Sequence, residues 1–262
     1  MRIVALVILI GSLVQFSSCI RYSNNIVLAG LQPAVASATY AFALATPAPT
    51  TLVSAPATLP AKAPRPRTYL ALGDSYTIGQ SVDIADRYPV QLVNKLNADG
   101  LNYSDPEIIA TSGWTTTNLL NALRDKKADT PYDLVTLLIG VNNQYQRKTQ
   151  AQYREEFTSL LVQAIALAGD NSSHVIVLSI PDYSVTPFAR FMDKPLIISQ
   201  IDSFNRTNKE ISRNHHVRYI DITWESRKAA DDPSLIAEDG LHFSGKEYEI
   251  WAAMMEKPAR RN

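Results

Sequence analysis

The chain is 262 residues long, 46% hydrophobic and 19% charged, with 25 Lys plus Arg against 25 Asp plus Glu. That length buries one sizeable core, and the balanced charge gives nucleic acid or an anionic membrane surface no basic field to bind. The single cysteine, Cys19, excludes an intrachain disulfide and a Cys-rich zinc site.

The chain opens as a targeting segment. Arg2 precedes an apolar stretch over 3–14 and small residues follow it, the layout of a secretory signal over 1–19. The stretch is short for a membrane span, which needs about 20 apolar residues. Phe16-Ser17-Ser18-Cys19 resembles a bacterial lipoprotein cleavage site, with Phe16 in place of the usual Leu. Cys19 is therefore read as a lipidation and membrane-attachment site, with plain secretion or periplasmic release, or a retained anchor, as the alternatives. Residues 20–66 are rich in Ala, Pro and Thr, and proline at this density disfavours helix and central strand, so a tether is expected. One folded domain is expected over 67–262.

From residue 67 onward, apolar strand-like runs alternate with amphipathic helical stretches. Strands are expected at 69–72, 107–110, 134–139, 175–180 and 217–222, and helices at 88–96, 116–124, 150–168, 196–213 and 246–256. This alternation predicts a three-layer α/β/α sandwich around a five-stranded parallel sheet of flavodoxin-like type. Such folds build their sites beyond the carboxyl ends of the strands.

Chemistry-bearing residues recur at those ends. The first strand runs into Gly73-Asp74-Ser75, the second into Gly113-Trp114, and the third into Gly140-Val141-Asn142-Asn143; Asp239 and His242 follow the fifth. A serine hydroxyl is a weak nucleophile until a base takes its proton, and a loop carrying Asp and His three residues apart supplies the base and its orienting carboxylate. The expected catalytic residues are Ser75, Asp239 and His242. The oxyanion donors would be the Ser75 and Gly113 amides and the Asn142 side chain, each worth about 3 kcal/mol of transition-state stabilisation.

At these residues the chain resembles the SGNH hydrolases, the GDSL-type lipases and acylhydrolases. The blocks are Gly73-Asp74-Ser75-Tyr76-Thr77, Gly113, Gly140-Val141-Asn142-Asn143 and Asp239-Gly240-Leu241-His242, in the family's order over 67–256. Tyr76 stands where the name-giving motif has Leu, and Asn143 where many members have Asp. The resemblance implies a two-step acyl transfer through an acyl-enzyme, with no metal or organic cofactor.

Each residue also has a plainer role open to it. Gly-Asp-Ser is a common turn, Asp239 could only shape its loop, and Gly113 and Asn142 could only end strands. Asp74 is expected to organise the turn by binding backbone amides. His215-His216 lacks the one-face spacing of a helical metal pair, and Trp114, Tyr145 and Tyr183 are candidates to line a substrate pocket. Asn102, Asn171 and Asn205 form glycosylation sequons. A small-molecule, glycan or lipid ester is the expected substrate, with short acyl chains favoured, and a monomer is expected. The same residues would serve a carbohydrate O-acetyltransferase or deacetylase, and a hydrolase scaffold can also serve as a non-catalytic surface-binding protein.

Overall fold

The computed structural model describes residues 65–260. The expected leader over 1–19, with Cys19, and the tether as far as residue 64 lie outside the described residues. Arg65, expected at the end of the tether, is tied to the domain by a forked pair with Asp133, Nη1 to Oδ2 at 2.7 Å and Nη2 to Oδ1 at 3.0 Å.

In chain order, β1 (Tyr69–Gly73) is followed by α1 (Ser75–Ile78) and α2 (Tyr88–Ala98), then β2 (Glu107–Ala110) by α3 (Thr116–Leu123). Next, β3 (Leu134–Leu138) is followed by α4 (Val141–Tyr145) and α5 (Gln150–Leu167), and β4 (Val175–Leu178) by α6 (Lys194–Asn214). Last come β5 (Arg218–Ile220), α7 (Thr223–Arg227) and α8 (Gly245–Ala259). The strands form one parallel sheet in the order β2-β1-β3-β4-β5, the flavodoxin-like arrangement the sequence predicts.

The three inner strands, β1, β3 and β4, are buried along their whole length. Strands covered on both faces need near-continuous apolar sequence, and these have it. Thr136 is the polar exception, and its hydroxyl pairs with that of Tyr69 at 2.8 Å inside the core. The helices α2 and α8 pack on each other, and α3, α5 and α6 form a second row; right-handed crossovers place the two groups on opposite faces. Tyr88, Tyr248 and Trp251 form an aromatic cluster in the first layer, and Tyr153, Phe157 and Phe204 form one in the second. Among the described residues no helix is long and apolar enough to cross a membrane.

Three strands stop short of the expected 139, 180 and 222. Ile139, Ile180 and Ile222 are buried like strand residues, but side chains take over from the ladder. The Ile180 N–H donates to Asn205 Oδ1 at 2.8 Å and the Ile222 N–H to Ser179 Oγ at 2.8 Å. Asn205 is thus a buried structural residue, so the folded chain offers no acceptor at that sequon.

The sheet sets the site's location. Gly73 pairs with Ala110 on one side and Leu138 on the other, so the carboxyl ends of β1, β2 and β3 lie level. The chain leaves β1 and β3 for opposite directions along the sheet, and the crevice between those two ends is where such a fold leaves room for a ligand.

Candidate active site

Ser75 is placed by a turn with no room to vary. A Cβ on Gly73 would collide with the Thr77 side chain and the Leu138 carbonyl, so only glycine lets β1 end this close to β3. Asp74 then caps α1, its Oδ1 accepting from the Tyr76 N–H at 3.1 Å, which is the turn-organising role expected of it. Ser75 is the first residue of α1 and is nearly buried, at 6% exposure. Its N–H, at a helix start, has no partner within the helix.

Asn142 lies one residue into α4, just beyond β3. One hydrogen of its Nδ2 donates to the Trp114 carbonyl at 3.0 Å, which fixes the amide and leaves the other hydrogen to be donated elsewhere. Asn143 is fully buried and ties α4 to the start of α3: its Oδ1 accepts from the Thr116 N–H at 3.0 Å and its Nδ2 donates to Thr116 Oγ1 at 2.6 Å. An amide both accepts and donates there, which a carboxylate could not. Gly113 has φ +81, and a Cβ on it would meet nothing within 4 Å. That positive φ is a backbone conformation that favours glycine.

Asp239 and His242 are carried by a loop pinned at both ends. Ile236 and Phe243 form an antiparallel bridge, the Ala237 N–H donates to the His242 carbonyl at 2.8 Å, and the Phe188 N–H donates to Gly240 at 2.9 Å. His242 Nδ1 and Asp239 Oδ2 are 2.5 Å apart. Asp239 Oδ1 accepts from the Leu241 and His242 amides, each at 2.9 Å. Partial burial opposes ionisation of Asp239, yet the bonds from His242, Leu241 and Ser81 hold its carboxyl well below the usual carboxylate range. With Asp239 on Nδ1, Nε2 is the imidazole nitrogen left to act as base.

Ser75, Asn142 and His242 line one cleft of about 240 Å³, with Tyr76, Val141, Tyr145, Tyr183, Phe188 and Leu241 as the other walls. Tyr145, Tyr183 and Phe188 form an aromatic rim with ring centroids 6.2–6.4 Å apart. Tyr145 and Tyr183 therefore stand where the sequence suggested. Trp114 is half-buried against the core and lies outside that lining; its carbonyl, not its ring, meets the site. Sequence reasoning missed Ser81, whose Oγ donates to Asp239 Oδ2 at 2.7 Å. It also missed Gln144, whose Oε1 accepts from the Tyr183 hydroxyl at 3.0 Å. The Gly79-Gln80-Ser81 turn after the nucleophile was the available signal for Ser81, while nothing local marked Gln144.

Chemically, the cleft sets a hydroxyl, an imidazole backed by a carboxylate, and a neutral amide donor around one small apolar space. That is the equipment for attack on a carbonyl and for holding the oxyanion that results. The model of the GDSL-like Lipase/Acylhydrolase family matches residues 71–250. No curated protein matches the sequence. Among solved structures, the chain is similar to a lipase/acylhydrolase from Enterococcus faecalis at 23% identity and a TM-score of 0.57, over 74% of this chain and 96% of that one. It is also similar to an acetyl xylan esterase from Geobacillus stearothermophilus at 19% identity and a TM-score of 0.56, over 74% and 94%. A second acetyl xylan esterase has 14% identity and a TM-score of 0.56, over 72% and 98%. At these identities the likeness to the solved structures is one of fold.

Proposed function

This chain belongs to the GDSL-like Lipase/Acylhydrolase family and is a serine hydrolase of ester bonds; from that premise we propose that Ser75 is the nucleophile, His242 its base and Asp239 the carboxylate that orients it. His242 Nε2 takes the Ser75 proton as Oγ attacks the carbonyl, and returns it to the departing alcohol. Water, deprotonated by the same nitrogen, then releases the acid from the acyl-enzyme. The Ser75 and Gly113 amides and Asn142 Nδ2 hold the oxyanion in both steps. The observation that carries this assignment is the Asp239–His242 pair opening onto the same cleft as Ser75.

The small cleft supports short acyl groups, because an extended chain needs a longer apolar channel than about 240 Å³ provides. The fold shared with two acetyl xylan esterases supports an acetyl ester borne on carbohydrate. The N-terminal reading belongs to the same proposal: residues 1–19 direct export, Cys19 takes a lipid, the Pro-rich stretch after it holds the domain away from the membrane, and the domain works as a monomer at the cell envelope. Mass spectrometry of the mature N-terminus checks this, and an unmodified terminus beyond Cys19 overturns the lipidation.

A serine-reactive fluorophosphonate is expected to label the protein, with labelling lost in Ser75→Ala and kcat lowered about 10⁴-fold or more. On p-nitrophenyl esters from acetyl to palmitoyl, kcat/KM is expected to fall with chain length. A folded protein that resists the label, or that prefers palmitoyl, contradicts the corresponding half of the reading.

A further inference from the structure

A second groove, of about 1060 Å³, opens beside the catalytic cleft. The two share a wall, since Tyr145 and Tyr183 line both. Gln144 stiffens that wall by accepting from the Tyr183 hydroxyl and donating its Nε2 to Gln200 at 2.7 Å. The groove lies at the upper end of the roughly 300–1,000 Å³ that holds a whole ligand. It is far too large for a short acyl group, which the catalytic cleft already accommodates.

Charge is unevenly distributed around this groove. Arg147 and Lys148 stand on the α4 side and Arg206 on the α6 side, against one acid, Asp193. Asp193 is engaged as the cap of α6, its Oδ1 accepting from the Leu196 N–H at 3.1 Å. Among the described residues, no ion pair or side-chain hydrogen bond takes up the guanidinium of Arg147 or Arg206. Arg147 carries a second mark. It has φ +57, and the Lys148 N–H donates to the Asn143 carbonyl at 2.8 Å, so Arg147 occupies the helix-ending position that normally falls to glycine. A long cation is held in the left-handed region where it strains the backbone, and such outliers cluster at functional sites. Of the four non-glycine residues with positive φ among the described residues, Arg147 lines this groove and Ser81 bonds Asp239.

We propose that this groove binds the alcohol portion of the substrate as an acidic polysaccharide, with Arg147, Lys148 and Arg206 pairing with sugar carboxylates while the acyl group enters the catalytic cleft. The inference rests on the esterase reading and adds the class of alcohol. The exposed ring of Tyr145 offers a face to a sugar at the junction. Gln150, Ser199, Gln200 and Ser203 line the groove with amides and hydroxyls beside the apolar Met192, Leu196, Ile197 and Phe204, and those polar groups would be left unpaired against a lipid tail.

The test uses the full chain with O-acetylated polygalacturonate and O-acetylated xylan of equal acetylation, following acetate release. The wild type is expected to favour the acidic polymer by about tenfold in kcat/KM, the gain three exposed charge pairs provide together. That ratio should shrink as salt is raised beyond about 0.15 M. In the double variant Arg147→Gly, Arg206→Gln, which leaves Lys148, the ratio should fall to about twofold through KM. Arg147→Gly alone should raise Tm, since glycine relieves the strained backbone, so a lost preference is not lost folding. Ser75→Ala protein should still be retarded in a gel containing polygalacturonate, a readout independent of turnover. No preference for the acidic polymer, or a preference that the double variant retains undiminished, overturns the proposal. Faster hydrolysis of lysophosphatidylglycerol than of either polymer, lost in the same variant, assigns the groove to an anionic lipid and also overturns it. Failure to hydrolyse p-nitrophenyl acetate would instead count against the esterase reading itself.

Discussion

Asp239 accepts four hydrogen bonds, and the one from Ser81 decides how much of its charge is left for His242. Ser81 holds φ +66 to make that bond, with the hydroxyl on the same Oδ2 that meets the imidazole. Ser81→Ala removes the donor and with it one of the bonds that fix Asp239 against the imidazole. The variant is expected to lower kcat roughly three- to tenfold, because a bond to a charged group at an exposed position contributes about 1 kcal/mol. Ser81→Gly loses the same donor but relieves the positive φ. Equal kinetic effects in the two variants trace the change to the hydroxyl, whereas an unchanged kcat in both removes Ser81 from the machinery. The turn after the nucleophile marks Ser81 in the sequence, but not its partner: it lies 158 positions from Asp239, and only the packed fold brings them together.

The turn between β3 and α4 shows which parts of an element can be read from sequence. The inner strands were legible because burial on both faces demands an unbroken apolar run, and the long helices because their apolar residues recur on one face. The helices α1, α4 and α7, of four or five residues, have no room for a period, yet two of them carry Ser75 and Asn142. Their positions were recoverable only as motifs at strand ends. The glycines in those motifs differ in ways the sequence does not reveal. A Cβ on Gly140 would lie 2.7 Å from Ile180 Cδ1 and 2.8 Å from Tyr153 Cε2, at φ +134, whereas one on Gly113 would meet open space. Gly140→Ala is thus expected to cost about 3 kcal/mol, lowering Tm by roughly 6–12 °C for a domain of this size. Gly113→Ala should cost only about 1 kcal/mol, from its positive φ, while kcat falls because the proposed oxyanion amide is displaced. Thermal melts beside kcat measurements separate the two, and a Gly113→Ala protein with full kcat would remove that amide from the oxyanion hole.

Across the domain, ionisable groups fall into two sets that pull stability in opposite directions with pH. Asp74 and Glu247 are buried, and that burial pushes the carboxyl of each up to about 7, from ordinary values of 3.8 and 4.5. Between the ordinary and raised values the folded state binds more protons than the unfolded one, so these two groups make stability fall as pH rises from about 4 to about 7. Asp133, Glu107, Glu156 and Asp239 are held below their ordinary values by hydrogen bonds and neighbouring cations, against the opposing pull of partial burial. Their contribution is complete above about pH 4 and is lost in stronger acid. Tm is therefore expected to peak at about pH 4, where the two windows meet. Glu247 allows a clean check, because its Oε1 accepts from Trp251 Nε1 at 2.7 Å and its buried Oε2 has no partner. Glu247→Gln keeps the acceptor and removes the charge. At pH 4, where Glu247 is neutral in the folded chain and largely so in the unfolded one, the variant should match the wild type. At pH 8 it should be more stable by on the order of 2 kcal/mol, or roughly 4–8 °C in Tm. An equal difference at both pH values would mean that packing around α8, and not the ionisation of Glu247, sets the alkaline fall.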